Sequence, residues 1–105
     1  MELNKAFGLA LKQIRSQQGL TQEDFTSVSS RTYLSALERG LKGPTIQKLE
    51  QLAGVLNVHP ATVLISAFLH KNGGEDYRQL LLRIGTELQT LEQHALGAEG
   101  DPGTR

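Results

Sequence analysis

The sequence of 105 residues has no cysteine and only three prolines. Without cysteine there is no disulfide and no zinc–thiolate site. So few prolines, with few turn signals over long stretches, argue against many short strands and for helices. A charge of one sign is also missing, because eleven Lys and Arg balance eleven Asp and Glu. The beginning, Met1-Glu2-Leu3-Asn4, has neither the basic nor the apolar region of a signal peptide. No apolar run approaches the roughly 18 residues that a membrane span needs. A soluble, cytoplasmic protein is expected. Apolar residues make up 38% of the chain, low for a sizeable enzyme but sufficient for one small helical core.

The balance of charge hides an asymmetry. Residues 1–70 carry +2 and residues 71–105 carry −2. That is a weak signal by itself; where the charges fall matters more.

Apolar periodicity predicts a first helix from Asn4 to Gln18, with Leu3, Phe7, Leu11 and Ile14 facing inward beside Ala6 and Ala10. Gly19 is placed to end it in the left-handed conformation. Thr21 is an N-cap, with Asp24 at the capping-box position, for a short second helix that buries Phe25 and Val28. Ser29 and Ser30 are placed to cap a third helix over Arg31 to about Arg39, with Leu34 and Leu37 inward, stopped by Gly40 and Gly43-Pro44. Thr45 caps a fourth, with Lys48 at its third position and Ile46, Leu49, Leu52 and Ala53 inward. Gly54 interrupts it at a cost of about 1 kcal/mol relative to Ala. Asn57-Val58-His59-Pro60 makes a turn, and Pro60 opens a mainly apolar fifth helix containing Val63, Leu64, Ala67 and Phe68.

Residues 1–70 are therefore expected to form one five-helix domain, with 71–76 as a hinge around Asn72-Gly73-Gly74. Beyond it Tyr77, Leu81, Ile84, Leu88 and Leu91 recur at spacings of four, three, four and three, with Leu80 widening the stripe. This heptad seam predicts an amphipathic helix over 77–96, too short to be stable alone. It either pairs with its counterpart in a second chain or packs on its own domain. Residues 97–105 lack apolar periodicity and are expected to be disordered.

A tight turn between the second and third of these helices gives the ingredients of a helix-turn-helix. The wording goes further: Leu20-Thr21-Gln22-Glu23-Asp24-Phe25, then Ser30-Arg31-Thr32-Tyr33-Leu34-Ser35-Ala36-Leu37-Glu38-Arg39-Gly40, then Pro44-Thr45 and Leu49…Leu52-Ala53…Leu56-Asn57-Val58. Over about residues 7–69 the chain resembles the phage-repressor and Cro-like helix-turn-helix regulators of the XRE type. The resemblance implies an all-α, repressor-like DNA-binding domain whose third helix enters the major groove. It places Arg31, Thr32 and Ser35 on base edges. Arginine donates a bidentate pair to guanine O6 and N7, and threonine offers thymine a hydroxyl and a methyl. It places Gln22, Tyr33, Arg39 and Lys42 on the sugar-phosphate backbone, with Gln22 at a helix N-terminus where phosphate is favoured. Glu38 is expected to be structural, pairing with an arginine of the first helix such as Arg15.

The chain departs from that family between Phe25 and Ser30, where only Thr26-Ser27-Val28-Ser29 stand. The family commonly has a longer turn with a glycine, and valine adopts the left-handed conformation only at a cost. Either the second helix is shorter here or the turn is a serine-capped reversal.

Other chemistry is weak. His59, His70 and His94 do not match metal-ligand spacing, and Gly73-Gly74 is no phosphate-binding motif. No nucleophile–base–orienter set is visible, so neither catalysis nor a cofactor is expected. The expected partners are double-stranded DNA, which would keep the protein at the nucleoid when bound, and a second copy of the chain. Such a homodimer would recognise a pseudo-palindromic operator as a repressor. The rival reading is a protein-interaction module, antitoxin-like, whose leucine seam engages another protein.

Overall fold

The computed structural model describes residues 1–98. Among them are five α-helices, one 3₁₀ turn and no strand: α1 Leu3–Gln17, the 3₁₀ turn Gln22–Phe25, α2 Arg31–Glu38, α3 Ile46–Leu56, α4 Pro60–Asn72 and α5 Tyr77–Ala98. The chain divides into two units, Met1–Gly74 and the residues from Glu75 onward.

In the first unit each start and stop has a local cause. Gln18 ends α1 and Gly19 follows at φ +72°, a conformation cheap only for glycine. Ser30 caps α2 through Oγ, which accepts from the Tyr33 N–H at 3.1 Å. Thr45 caps α3 in the same way, accepting from the Lys48 N–H at 3.0 Å. Asn57 ends α3 in the left-handed region at φ 55°, ψ 42°, which Asn tolerates better than most residues. His59 caps α4, its Nδ1 accepting from the Ala61 N–H at 2.9 Å, with Pro60 at the first helical position.

The core gathers Phe7, Ala10 and Leu11 of α1, Phe25 of the 3₁₀ turn, Leu34 and Leu37 of α2, Leu49, Leu52, Ala53 and Leu56 of α3, and Val63 and Ala67 of α4. Val28 and Tyr33 pack against its edge. α1 lies along both α4 and α2, and α3 packs against α4 and the 3₁₀ turn. The approach of α1 to α2 depends on Gly8, which is buried: a Cβ there would meet the carbonyl oxygens of Leu37 and Glu38 at 2.5 Å.

The second helix is, as expected from its missing residues, shorter than in the family: it is a single 3₁₀ turn, because four residues between Phe25 and Ser30 leave no room for more. The reversal is made instead by the Val28 and Ser29 N–H groups, which donate to the Phe25 carbonyl at 3.0 and 2.9 Å, and by the Ser30 cap. The expectation for Ile46 is corrected: it faces out, 88% exposed. It opens α3 at the margin of that helix's apolar stripe, where its side chain leans toward the helix N-terminus, past the core. There it lines an apolar groove of about 330 Å³ together with Leu3, Phe7, Leu49, Leu64 and Phe68. Leu64 and Phe68 are thus 39% and 40% exposed.

The second unit is α5. Asp76 caps it, accepting from the Arg78 N–H at 2.9 Å. The helix includes Gly97 and Ala98, which were expected in the tail; residues 99–105 lie outside the described residues. At about 100° per residue, Tyr77, Leu81, Ile84, Leu88 and Leu91 fall on one stripe. Leu88 and Leu91 are exposed on it and Ile84 is half-buried. An Arg83–Glu87 ion pair at 3.2 Å lies on its polar side. No helix among the described residues is by itself long and apolar enough to cross a membrane.

Candidate nucleic-acid interface

The 3₁₀ turn and α2 present two adjoining helix N-termini, and a small polar network sets the angle between them. Glu38, at the end of α2, accepts from Arg15 Nε at 2.6 Å and Nη2 at 3.0 Å. Arg15 Nη1 donates to the Leu20 carbonyl at 2.9 Å. The side chains are only 13% and 5% exposed, and every described buried polar side-chain atom has a partner. The hydrogen bond to Glu38 raises the Arg15 pKa; partial burial opposes this, and the Glu38 charge reinforces it. One bidentate pair therefore ties α1, the loop after it and α2 together.

Gln22 joins the same network. Its Nε2 donates to Glu38 Oε1 at 3.2 Å. A carboxylate can only accept, so the amide NH₂ must face it, and one N–H remains for a second acceptor. Half-buried and so oriented, Gln22 stands at the first position of the 3₁₀ turn. Asp24 closes that turn, its Oδ2 accepting from the Thr21 N–H at 2.7 Å and the Thr21 hydroxyl at 3.2 Å.

On α2, Leu34 and Leu37 point into the core. Arg31, Thr32 and Ser35, with Arg39 at the C-cap just past the helix, fall within about 100° of one another on the opposite side. Arg31, Thr32 and Arg39 are exposed and Ser35 half-buried. The Arg31 guanidinium pairs with Glu23 of the 3₁₀ turn, both side chains being about two-thirds exposed. Four of the residues singled out in the sequence therefore share one face, backed by core leucines.

Tyr33 belongs to a second cluster beside that face. It is half-buried against the core, with Lys42 Nζ 5.7 Å and Lys48 Nζ 5.9 Å from its ring centroid. Lys48 also donates to the Val28 carbonyl. A shallow depression lined by Thr26, Ser27, Val28, Ser29, Ser30, Tyr33 and Lys48 adjoins the start of α2. Lys48 was not among the site residues expected from sequence. A signal for it existed: a lysine in the first turn of a helix opposes the helix dipole, so it calls for a partner elsewhere. The seam residues Tyr77, Leu81, Ile84, Leu88 and Leu91 lie in the other unit, on α5.

Of the histidines, His59 caps α4 and His70 pairs with Gln13 at 2.8 Å. Among the described residues no three His, Asp or Glu gather as metal ligands would.

The helix-turn-helix family matches residues 11–63, about half of the chain. An uncharacterised HTH-type transcriptional regulator of Sinorhizobium fredii, y4dJ, is 42% identical over 60 residues, which cover 55% of this chain and 78% of that protein. Two crystal structures of the clp gene regulator ClgR from Corynebacterium glutamicum have a similar fold. One has a TM-score of 0.60 at 35% identity, covering 64% of this chain and 90% of that one. The other has a TM-score of 0.61 at 27% identity, covering 90% of this chain and 95% of that one. A match that long reaches past Gly74 into α5. The chain belongs to the XRE-type helix-turn-helix family, a class of DNA-binding transcriptional regulators.

Proposed function

We propose that this chain is a repressor that binds a pseudo-palindromic operator as a homodimer, with α2 in the major groove. The observation that carries the reading is the single exposed face of α2 made by Arg31, Thr32, Ser35 and Arg39, braced behind by Leu34, Leu37 and the Arg15–Glu38 pair. Arg31 and Thr32 stand in the first turn of the helix, the end that reaches base edges when such a helix enters the groove, and Ser35 lies one turn further along the same face. Arg31 reads a guanine through its N–H fork, and Thr32 and Ser35 contact neighbouring bases.

The backbone contacts flank these residues. Gln22 keeps one amide N–H beside the N-terminal amides of its turn, where a phosphate is favoured. Lys42 and Tyr33 reach the strand on the other side of α2, and Arg39 follows it toward the helix end. Lys48, missed in the sequence, adds a second ammonium to that phosphate-facing cluster.

The α5 stripe of Tyr77, Leu81, Ile84, Leu88 and Leu91 supplies the dimer contact. Two copies then set their recognition helices about one DNA turn apart, roughly 34 Å. The same exposed stripe favours the second reading, an interaction module that captures another protein. Selection of duplexes from a random pool by the purified chain separates the two. A repressor enriches one site with two-fold symmetry; an interaction module enriches none.

A further inference from the structure

The face that would meet DNA carries an acidic residue whose ion-pair partner is an arginine of the same face. Between Thr21 and Gly40 the acids are Glu23, Asp24 and Glu38. Asp24 closes its turn on Thr21, and Glu38 holds Arg15 and Gln22. The Glu23 side chain, 67% exposed, has the Arg31 guanidinium as its partner. An ion pair so exposed contributes little to stability. A carboxylate beside the N-terminus of α2 also works against any approach of phosphates. Its position is explained by what it does to Arg31.

We propose that Glu23 is a specificity-determining residue: it holds Arg31 for a base edge and keeps it off the phosphates. The inference rests on the DNA-reading role of α2. The pair crosses from the 3₁₀ turn to the first residue of α2 and uses Arg31 Nη2. The remaining N–H donors of Nε and Nη1, and one on Nη2, stay available for an acceptor. A long side chain biased in this way, even weakly, loses less freedom when it meets its base. On a duplex without the right guanine, Arg31 would otherwise swing onto a phosphate. Glu23 opposes that twice, by competing for the guanidinium and by repelling the strand. Discrimination then comes from weakening the wrong complexes, as specificity commonly does.

The test compares wild type, Glu23→Gln, Arg31→Ala and the double variant, as full chains. Each is titrated by fluorescence anisotropy against the duplex that wild type selects, a duplex altered at the base pair Arg31 reads, and a scrambled duplex. Glu23→Gln is expected to tighten the scrambled duplex about fivefold, because the released Arg31 gains a phosphate there, while moving the selected one less than twofold, because relief of repulsion is offset by the lost ordering of Arg31. It should also lower discrimination at the Arg31 base pair about fivefold, a large part of what one good contact supplies. In the Arg31→Ala background, Glu23→Gln should leave that base pair's discrimination unchanged. Equal tightening of all duplexes by Glu23→Gln, or no change in any, overturns the proposal while leaving the DNA-reading role intact. A wild type that selects no duplex overturns both. Both residues are exposed, so matching circular dichroism of the four proteins is expected.

Discussion

Glu38 and Arg15 form a bidentate pair, 2.6 and 3.0 Å, that joins the last residue of α2 to α1 and also fixes the Gln22 amide. The pair is nearly buried, so removing one partner leaves a charge without compensation. Glu38→Ala should cost about 3 kcal/mol of unfolding free energy, read from urea denaturation. The combined replacement Arg15→Met, Glu38→Leu should recover most of that loss, since an apolar pair of similar volume is often as stable. It should not recover DNA affinity, because Gln22 then has no carboxylate to orient it. A residual loss of about fivefold is expected, equivalent to one hydrogen bond of about 1 kcal/mol.

Two glycines inside helices should respond oppositely to alanine. At Gly8 a Cβ meets two backbone oxygens at 2.5 Å, and at Gly54 it meets nothing within 4 Å. Gly8→Ala should destabilise by about 2 kcal/mol or more, as overpacking against backbone does. Gly54→Ala should stabilise by about 0.5–1 kcal/mol through helix propensity alone. Thermal midpoints of the two variants moving in opposite directions would meet this expectation; a shift in the same direction would refute it.

Lysines and arginine on the interface should be separable by salt. Lys42→Ala should weaken selected and scrambled duplexes alike and reduce the slope of log affinity against log salt by about 0.9, the loss of one phosphate contact. Lys48→Met should do the same and, by freeing Tyr33 and the Val28 carbonyl, should also lower stability slightly. A change confined to one base position would contradict the backbone role.

Leu88 tests the second unit. It lies on the α5 stripe and is 60% exposed. Leu88→Asp should leave the first unit's fold intact and shift the chain to monomer in analytical ultracentrifugation, with operator affinity falling at least tenfold as one half-site is lost. An unchanged sedimentation coefficient would remove α5 from the dimer account.

What could be read from the sequence was what is encoded locally. Gly19, Ser30, Thr45 and Pro60 announced helix ends, because caps and fixed dihedrals need only neighbours a few residues away. The core leucines followed from period 3.6, and the Arg15–Glu38 pair from the structural alternative to a DNA-reading Glu38. The departures depend on three dimensions. Ile46 matches its helix's apolar spacing yet projects past the packed elements. The small residue at Gly8 matters only because α2's carbonyls come to it. Lys48 and Tyr33 meet across an interval of sequence with no pattern, and so do Glu23 and Arg31. The shortened turn and its serine cap were visible in the sequence, but only the structure shows that Phe25's carbonyl accepts from both Val28 and Ser29 to complete the reversal.

The central claim is that the exposed face of α2 reads bases. Duplex selection by wild type and by Arg31→Ala, run side by side at two salt concentrations, tests it most directly. The account predicts one pseudo-palindromic site for wild type and the same site for the variant, relaxed at a single position in each half and about tenfold weaker. A folded wild type that enriches no sequence at low salt, or a variant with an unchanged site and affinity, would contradict it.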